Sequence, residues 1–288
     1  MLGAILFSLY AHIGLATSNL AGAVGSRKIS AARMSLYAWL AGCLLAAAAT
    51  PFLFNTLPDL KAFVVTAFLA VIMAVAYPIF LYTLEHGNAT INGVIGGTFP
   101  IWVVILSLLF FDERLSIIQA VAVVFIFAGV VLSTLHLTRR TKLKTMFNRY
   151  SLLAFLVSIL WGVYFTFIRY PVEQYGWFET NVVVQFVASI FSILILMPVI
   201  RRSKPLKFKR SNLRWPAINA FFGFSSSLSY NYALTLGASS IVAPIAGSYP
   251  GLYALMSYFI FKEKLTKLQL LGLVLVLIGV ITLSVVSV

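Results

Sequence analysis

Polar side chains with useful chemistry occur at a few places inside long apolar stretches of this sequence. His12 and Asn19 are seven residues apart, so on a helix they share one face. An imidazole titrates near neutral pH, which makes His12 a candidate for proton coupling as well as for binding a solute. The alternative for His12 is a neutral imidazole that forms a hydrogen bond between two helices.

Aromatic and amide side chains recur deep inside other apolar stretches. Trp161 lies about ten residues into its span, too deep for an interfacial aromatic belt, so it lines a cavity or packs in the core, and Tyr164 is offered by the same span. Tyr77 lies in the middle of another stretch. Tyr230 and Asn231 belong to the polar run "SSSLSYNY", and the amide of Asn231 offers a donor and an acceptor that packing alone does not need. These residues are therefore candidate solute-binding groups.

Two apolar stretches contain glycine and proline in matching positions, as "GGTFP" (96–100) and "GSYP" (247–250). A proline inside a helix removes a backbone donor and crowds the carbonyl one turn earlier, so both helices should kink or loosen here. Gly97, Pro100, Gly247 and Pro250 are therefore candidate hinge or gating positions, and static kinks are the alternative. The polar and aromatic neighbours of these positions join the candidate binding residues: Thr98, Trp102, Ser248 and Tyr253.

The elements that must position these residues are membrane-spanning helices. The chain is 61% hydrophobic and 10% charged, with a mean hydropathy of +1.00, whereas about a quarter of the residues of a soluble domain are charged. Helix-length apolar runs joined by short links favour an all-α membrane bundle over a barrel. We predict ten transmembrane helices, at residues 2–24, 31–54, 61–83, 91–110, 116–135, 151–170, 180–200, 214–235, 241–260 and 267–287.

The net charge of +14 comes from short links, not from a basic domain that could bind nucleic acid. Of the 21 Lys and Arg residues, 18 lie in links after odd-numbered spans, and five of the seven acidic residues lie on the other side. The positive-inside rule therefore places the basic links in the cytoplasm and both termini outside, in a membrane that we take to be the plasma (inner) membrane. Anionic lipids are the expected partners of the basic links, and no nucleic acid is expected.

The two halves of the chain are related by a shift of 150 residues. Identities join Gly97 with Gly247, Pro100 with Pro250 and Gly129 with Gly279, along with about a dozen other pairs. We predict one five-helix repeat over 1–138, a basic cytoplasmic linker over 139–150 and a second repeat over 151–288. Because five is odd, the repeats should enter the membrane in opposite directions, which is a common plan of secondary transporters.

These features resemble the drug/metabolite transporter superfamily, specifically its EamA-type members. The resemblance rests on the five-plus-five arrangement, the proline-containing spans followed by charged hairpins, and Trp161-Gly162 opening the second half. It implies a central cavity lined mainly by spans one, three, four, six, eight and nine, and a metabolite as cargo. Many members are drawn with both termini in the cytoplasm, whereas the charges here favour both termini outside.

The sequence therefore predicts a secondary transporter of a small organic metabolite, such as an amino acid or related solute, working by alternating access. It contains no HExxH, Asp-rich or Cys–His set, so neither a metal nor another cofactor is expected and an enzyme is not favoured. An intramembrane enzyme acting on lipid-linked substrates and a non-transporting structural or regulatory protein are the alternatives. The assembly could be a monomer or a homodimer. Arg169 could be an entrance gate, an anion-capturing group or a snorkelling rim residue.

Overall fold

A computed structural model describes residues 1–87, 89–134, 148–203, 209–261 and 266–287. All regular structure in these ranges is helical. The α-helices, with a short 3₁₀ turn at Arg210–Leu213 before α10, are α1 (Leu2–Ile29), α2 (Ala31–Leu53), α3 (Leu60–His86), α4 (Ala89–Gly96), α5 (Phe99–Phe110), α6 (Ile117–Thr134), α7 (Arg149–Phe167), α8 (Arg169–Tyr175), α9 (Trp177–Arg202), α10 (Arg214–Leu236), α11 (Ser239–Gly247), α12 (Tyr249–Phe261) and α13 (Lys267–Val286).

Six helical segments of the described chain are long and apolar enough to cross a bilayer: Leu2–Ile29, Ala31–Leu53, Leu60–His86, Arg149–Tyr175, Trp177–Arg202 and Lys267–Val286. Two shorter apolar helices, α5 and α6, accompany them. Large apolar side chains such as Leu44, Phe68 and Leu194 are exposed on their outer surfaces. Exposed apolar surface on this scale suits a lipid environment, so the chain is an integral membrane protein.

The predicted fourth and ninth spans are each divided into two helices at the glycine–proline motifs. Helix α4 ends at Gly96 and α5 begins at Phe99, with Pro100 in its first turn. Helix α11 ends at Gly247 and α12 begins at Tyr249. Proline is well suited to the first turn of a helix because its missing N–H would be unpaired there in any case. The two breaks touch, since a Cβ on Gly247 would overlap the Pro100 ring.

Helix starts follow local capping chemistry. The Asp59 carboxylate accepts a hydrogen bond from the Ala62 N–H at 2.6 Å, which caps α3. Asn148 caps α7 in the same manner, and Thr266 forms a capping box with Gln269 at the start of α13. Side-chain oxygens at these positions satisfy backbone donors that the helix itself cannot pair.

Packing between helices follows the internal repeat. Helix α1 packs extensively against α10, and its repeat-mate α7 packs against α3, the mate of α10. Helices α6 and α13 are repeat-mates that pack against each other, as are α2 and α9. The α6–α13 crossing brings backbones together, because a Cβ on Gly129 would lie 2.6 Å from the Gly272 carbonyl oxygen and one on Gly279 would lie 2.7 Å from that of Ala122. Small residues allow such close approach in membrane helices.

Residues 139–147 of the predicted basic linker at 139–150 lie outside the described residues, and so do Lys262 and Lys264 of the hairpin before α13.

The largest cluster of buried apolar residues is in the middle of the bundle and includes Leu69, Phe80 and Val184. A second cluster packs around the α6–α13 crossing, with Ile126, Val130 and Val276. The first cluster surrounds the cavity that is the candidate site.

Candidate functional site

A cavity of about 120 Å³ lies in the middle of the bundle, between side chains from both repeats. Helices α1, α2, α3 and α5 line it from the first repeat, and α7, α9, α10 and α12 from the second. Each liquid water occupies about 30 Å³, so this conformation has room for a few waters or for a small solute. The described lining residues include no charged side chain.

One side of the cavity is aromatic, and we name it the aromatic wall: Phe99, Trp161, Phe165 and Tyr230. The Phe99 and Phe165 rings stack with their centroids 4.7 Å apart, and the Phe165 and Tyr230 rings meet edge to face at 4.9 Å. The Tyr230 hydroxyl donates to the Phe165 carbonyl oxygen at 3.2 Å, which holds α10 against α7. The aromatic wall therefore offers ring faces and edges to an apolar part of a solute.

Amides and hydroxyls from α1 and α10 form another side of the cavity. The Asn219 amide donates to the Ser18 carbonyl oxygen at 2.7 Å, and the Ser18 hydroxyl donates back to the Asn219 carbonyl oxygen at 3.1 Å. Asn19 donates to the Leu15 carbonyl oxygen at 2.9 Å, and the Tyr77 hydroxyl lies next to the Asn219 amide. These polar groups largely satisfy one another, so their first effect is to join α1 to α10.

Besides the hydroxyl of the partly buried Tyr77, which lies next to the Asn219 amide, four polar atoms of lining residues have no hydrogen-bond partner in the described part of the protein. They are the indole Nε1 atoms of Trp39 and Trp161, the amide Oε1 of Gln185 and the hydroxyl of Tyr249. Each of these residues is at least nine-tenths buried. An unpaired buried polar group costs about 1–3 kcal/mol, so water or a solute in the cavity would relieve that cost.

Five of the residues predicted to bind solute line the cavity: Asn19, Tyr77, Trp161, Tyr164 and Tyr230. They come from α1, α3, α7 and α10, so the fold brings together side chains that are up to 211 residues apart in the sequence.

The other predicted binding residues lie outside the cavity lining. The His12 ring nitrogen Nδ1 is 2.9 Å from the Ser248 hydroxyl, which joins α1 to the α11–α12 break. Trp102 donates its indole N–H to the Ser158 hydroxyl at 3.2 Å, and the Thr98 hydroxyl donates to the Ile95 carbonyl oxygen at 2.6 Å. Asn231 is buried in α10, and Tyr253 is partly buried against the central apolar cluster.

The resemblance implied a cavity lined mainly by spans one, three, four, six, eight and nine. Helices α2 and α9, which correspond to spans two and seven, also contribute lining residues. Trp39 and Gly42 come from α2, and Val184 and Gln185 come from α9. Trp39 lies eight residues into its predicted span, compared with ten for Trp161, so an argument like the one applied to Trp161 could have identified it. Ser18 and Asn219 carried no signal of this kind, because their pairing depends on how α1 crosses α10.

An ion-pair network ties together one end of the bundle. The Glu113 carboxylate accepts hydrogen bonds from the backbone N–H groups of Ser239 and Ser240 at 2.8 and 2.7 Å, and thereby caps α11. Arg169 pairs with Glu113 and also donates to Glu173 at 2.5 Å. This network links the α5–α6 connection to the starts of α8 and α11. The buried carboxylate at the N-terminus of α11 is stabilised both by the backbone N–H groups and by the arginine.

The fold and the cavity thus define an integral membrane protein built from two helical repeats around a central, uncharged cavity. The model of the EamA-like transporter family matches residues 2–135 and again residues 148–285. These ranges cover most of the chain, which therefore belongs to the EamA-like transporter family, and the predicted resemblance is confirmed. Members of this family are transporters, not enzymes.

Two further comparisons agree with a repeated fold. The chain is 31% identical over 134 residues to an uncharacterized protein of Methanocaldococcus jannaschii, which covers 46% of this chain and 95% of that protein. That relative is therefore about as long as one repeat. A crystal structure of another protein is similar with a TM-score of 0.79 and 13% identity, over 99% of this chain and 97% of the other, which indicates a shared fold.

Proposed function

We propose that this protein is a secondary transporter of a small organic solute, such as an amino acid or related metabolite, that works by alternating access through the central cavity. The observation that supports this most directly is the group of four unpartnered polar atoms on the cavity lining. Buried polar groups are normally paired, so their placement around a space between two repeats suits a site that a solute fills transiently.

The proposed membrane arrangement has ten spans in two inverted five-helix repeats. It counts the broken pairs α4–α5 and α11–α12 as one span each, and α7 with α8 as another. Helices of one repeat pack against those of the other in matching pairs, which supports two structurally equivalent halves. An odd number of spans in each half gives the two repeats opposite orientations in the membrane. The distribution of basic residues supports a plasma-membrane protein with cytoplasmic basic links, which contact anionic lipids, and with both termini outside.

The two helix breaks are the proposed hinges. Phe99 and Tyr249 directly follow the breaks and line the cavity, so bending at Gly97–Pro100 or Gly247–Pro250 would change its shape. The Arg169–Glu113 pair is a proposed gate, because it holds one end of α11 against α8 and the α5–α6 connection. His12 remains a proposed proton-coupling group through its contact with Ser248 at the second break.

A metabolite-wide thermal-stability screen on the purified protein tests this function. A solute that binds the folded state raises the melting temperature, and at about 100 times its Kd the gain is about 2.7 kcal/mol. We expect one chemical class of small metabolite to stabilise the protein and to enter proteoliposomes only when the protein is present. If no metabolite raises the melting temperature and no uptake into proteoliposomes depends on the protein, the transport function is contradicted.

A further inference from the structure

We call the part of the cavity lining that α2 and α9 contribute the α2–α9 end; it includes Trp39 and Gly42 from α2 and Gln185 from α9. A Cβ added to Gly42 would lie 2.6 Å from Gln185 Oε1, so the Gln185 amide lies directly against the backbone of α2. Trp39 precedes Gly42 by three residues and therefore lies on the same face of α2. The glycine provides the space that the amide occupies.

The polar atoms at this end are not needed to hold α2 and α9 together. The Ser189 hydroxyl, one turn after Gln185, already donates to the Trp39 carbonyl oxygen at 3.0 Å. In the described chain, the Trp39 indole N–H and the Gln185 Oε1 atom have no partner, although both side chains are more than nine-tenths buried. The indole is a donor and the amide oxygen an acceptor, so together they match a group that offers both an acceptor and a donor.

The charge of the described lining residues narrows the class of solute group that this end can bind. The described lining residues include no Asp, Glu, Lys, Arg or His that could neutralise an ionised solute group. At each helix break the carboxyl end of one helix is followed by the amino end of the next. The negative partial charge of the first end and the positive partial charge of the second largely cancel, so neither provides a net counter-charge. An ionised group without a counter-charge is far more costly to bury than a neutral polar group that is hydrogen-bonded.

We propose that Trp39 and Gln185 form a specificity subsite for an uncharged donor–acceptor group, such as a carboxamide, on a solute whose apolar part packs against the aromatic wall. This inference rests on the proposed transport function and narrows its solute to molecules recognised through a neutral group. An ammonium or carboxylate group is not accepted at this end of the cavity.

Binding of three similar small probes tests the subsite: benzamide, benzoate and protonated benzylamine. Each carries the same ring, and only the first has a neutral donor–acceptor group. We expect the purified protein, followed by tryptophan fluorescence and calorimetry, to bind benzamide at least about tenfold more tightly than either charged probe. Equal or tighter binding of benzoate or benzylamine, or binding of none of the three, would overturn the subsite.

Variants of Gln185 separate recognition from folding. Gln185→Met removes the unpartnered oxygen at similar volume, so it should weaken benzamide binding about tenfold while the melting temperature stays the same or rises. Gln185→Glu should shift the preference towards protonated benzylamine. Ser192→Ala is the matched control, because Ser192 also carries an unpartnered buried oxygen on α9 but does not line the cavity. It should leave all three affinities unchanged.

The opposite results would assign Gln185 a structural role. A fall in melting temperature or a failure to fold in Gln185→Met, or unchanged benzamide binding in that variant, contradicts the subsite. Gly42→Ala provides a second test, since the added methyl group crowds the amide oxygen and should reduce benzamide binding. Uptake into proteoliposomes of only those metabolites that lack an uncharged donor–acceptor group would refute the subsite and leave the transport function intact. Benzamide binding without transport of any solute would support the subsite and contradict the transport function.

Discussion

At the scale of single residues, candidate binding groups differ from structural polar groups in two respects: they have no hydrogen-bond partner in the described structure, and their residues line the cavity. Asn219 and Ser18 satisfy each other across α1 and α10, so these two groups hold the helices in register. Trp161 and Gln185 are as deeply buried but carry an atom with no partner in the described structure. Because leaving such an atom unpaired is costly, we assign the second kind to solute recognition.

The Trp161 indole N–H is a direct test at this scale. Trp161→Phe keeps an aromatic ring in the aromatic wall and removes the donor, so we expect solute affinity to fall about two- to tenfold, as a hydrogen bond of about 0.5–1.5 kcal/mol implies. Affinity is measured by calorimetry with the solute identified in the thermal screen. Trp215→Phe is the control, since Trp215 also has an unpartnered indole N–H but lies away from the cavity. Equal losses in both variants would exclude a specific role for Trp161.

At the scale of elements, the divided helices α4–α5 and α11–α12 interrupt the continuous helical hydrogen bonding of two predicted spans. Their breaks contact each other through Gly247 and Pro100. The first residue of the following helix, Phe99 or Tyr249, lines the cavity in each case. In the proposed mechanism, a movement at either break would therefore change the cavity without unfolding any long helix.

Replacing a break proline tests whether bending is needed. Pro250→Ala restores a backbone donor and favours a continuous helix, so we expect slower transport with solute affinity changed by less than about threefold. Transport rates in proteoliposomes and affinities from calorimetry provide the two measurements. Pro198→Ala is the control, because Pro198 lies inside α9 at an exposed position away from the cavity. An unchanged transport rate in Pro250→Ala would identify the break as a static kink.

At the scale of the whole molecule, the packing partners are exchanged between the two repeats. The pair α1–α10 corresponds to α7–α3, and the pairs α6–α13 and α2–α9 each join repeat-mates. The cavity is less symmetric than this frame, because α7 supplies much of the aromatic wall whereas its repeat-mate α1 supplies Ser18 and Asn19. In the proposed alternating-access mechanism, equivalent frames with different linings would let the halves exchange conformation while a solute keeps one preferred orientation.

The orientation of this frame in the membrane can be measured with single cysteines. With Cys43, the sequence's one cysteine, replaced by alanine, Thr56→Cys lies in the α2–α3 connection and Ser203→Cys follows α9. Both positions are exposed. We expect a membrane-impermeant maleimide to label Thr56→Cys on intact cells and Ser203→Cys only after permeabilisation, because the proposed orientation puts the basic links in the cytoplasm. The reverse pattern would invert the orientation and leave the fold unchanged.

The sequence by itself determined the features that depend on local or periodic patterns. Apolar composition specified membrane helices, the 150-residue shift specified two repeats, and the Gly–Pro motifs located the breaks at Gly97–Pro100 and Gly247–Pro250. These inferences succeed because hydrophobic burial in a bilayer and the missing proline donor act within a single segment.

The tertiary structure alone decided which polar side chains share a cavity. Trp102 and Trp161 are both deep aromatic residues, yet Trp102 is paired with Ser158 and Trp161 is unpartnered at the cavity. Gln185 lies on α9, which is not among the spans that the resemblance implied as the main cavity lining, and it lines the cavity because Gly42 lets it approach α2. Such pairings depend on how separate helices cross, and no spacing within one helix contains that information.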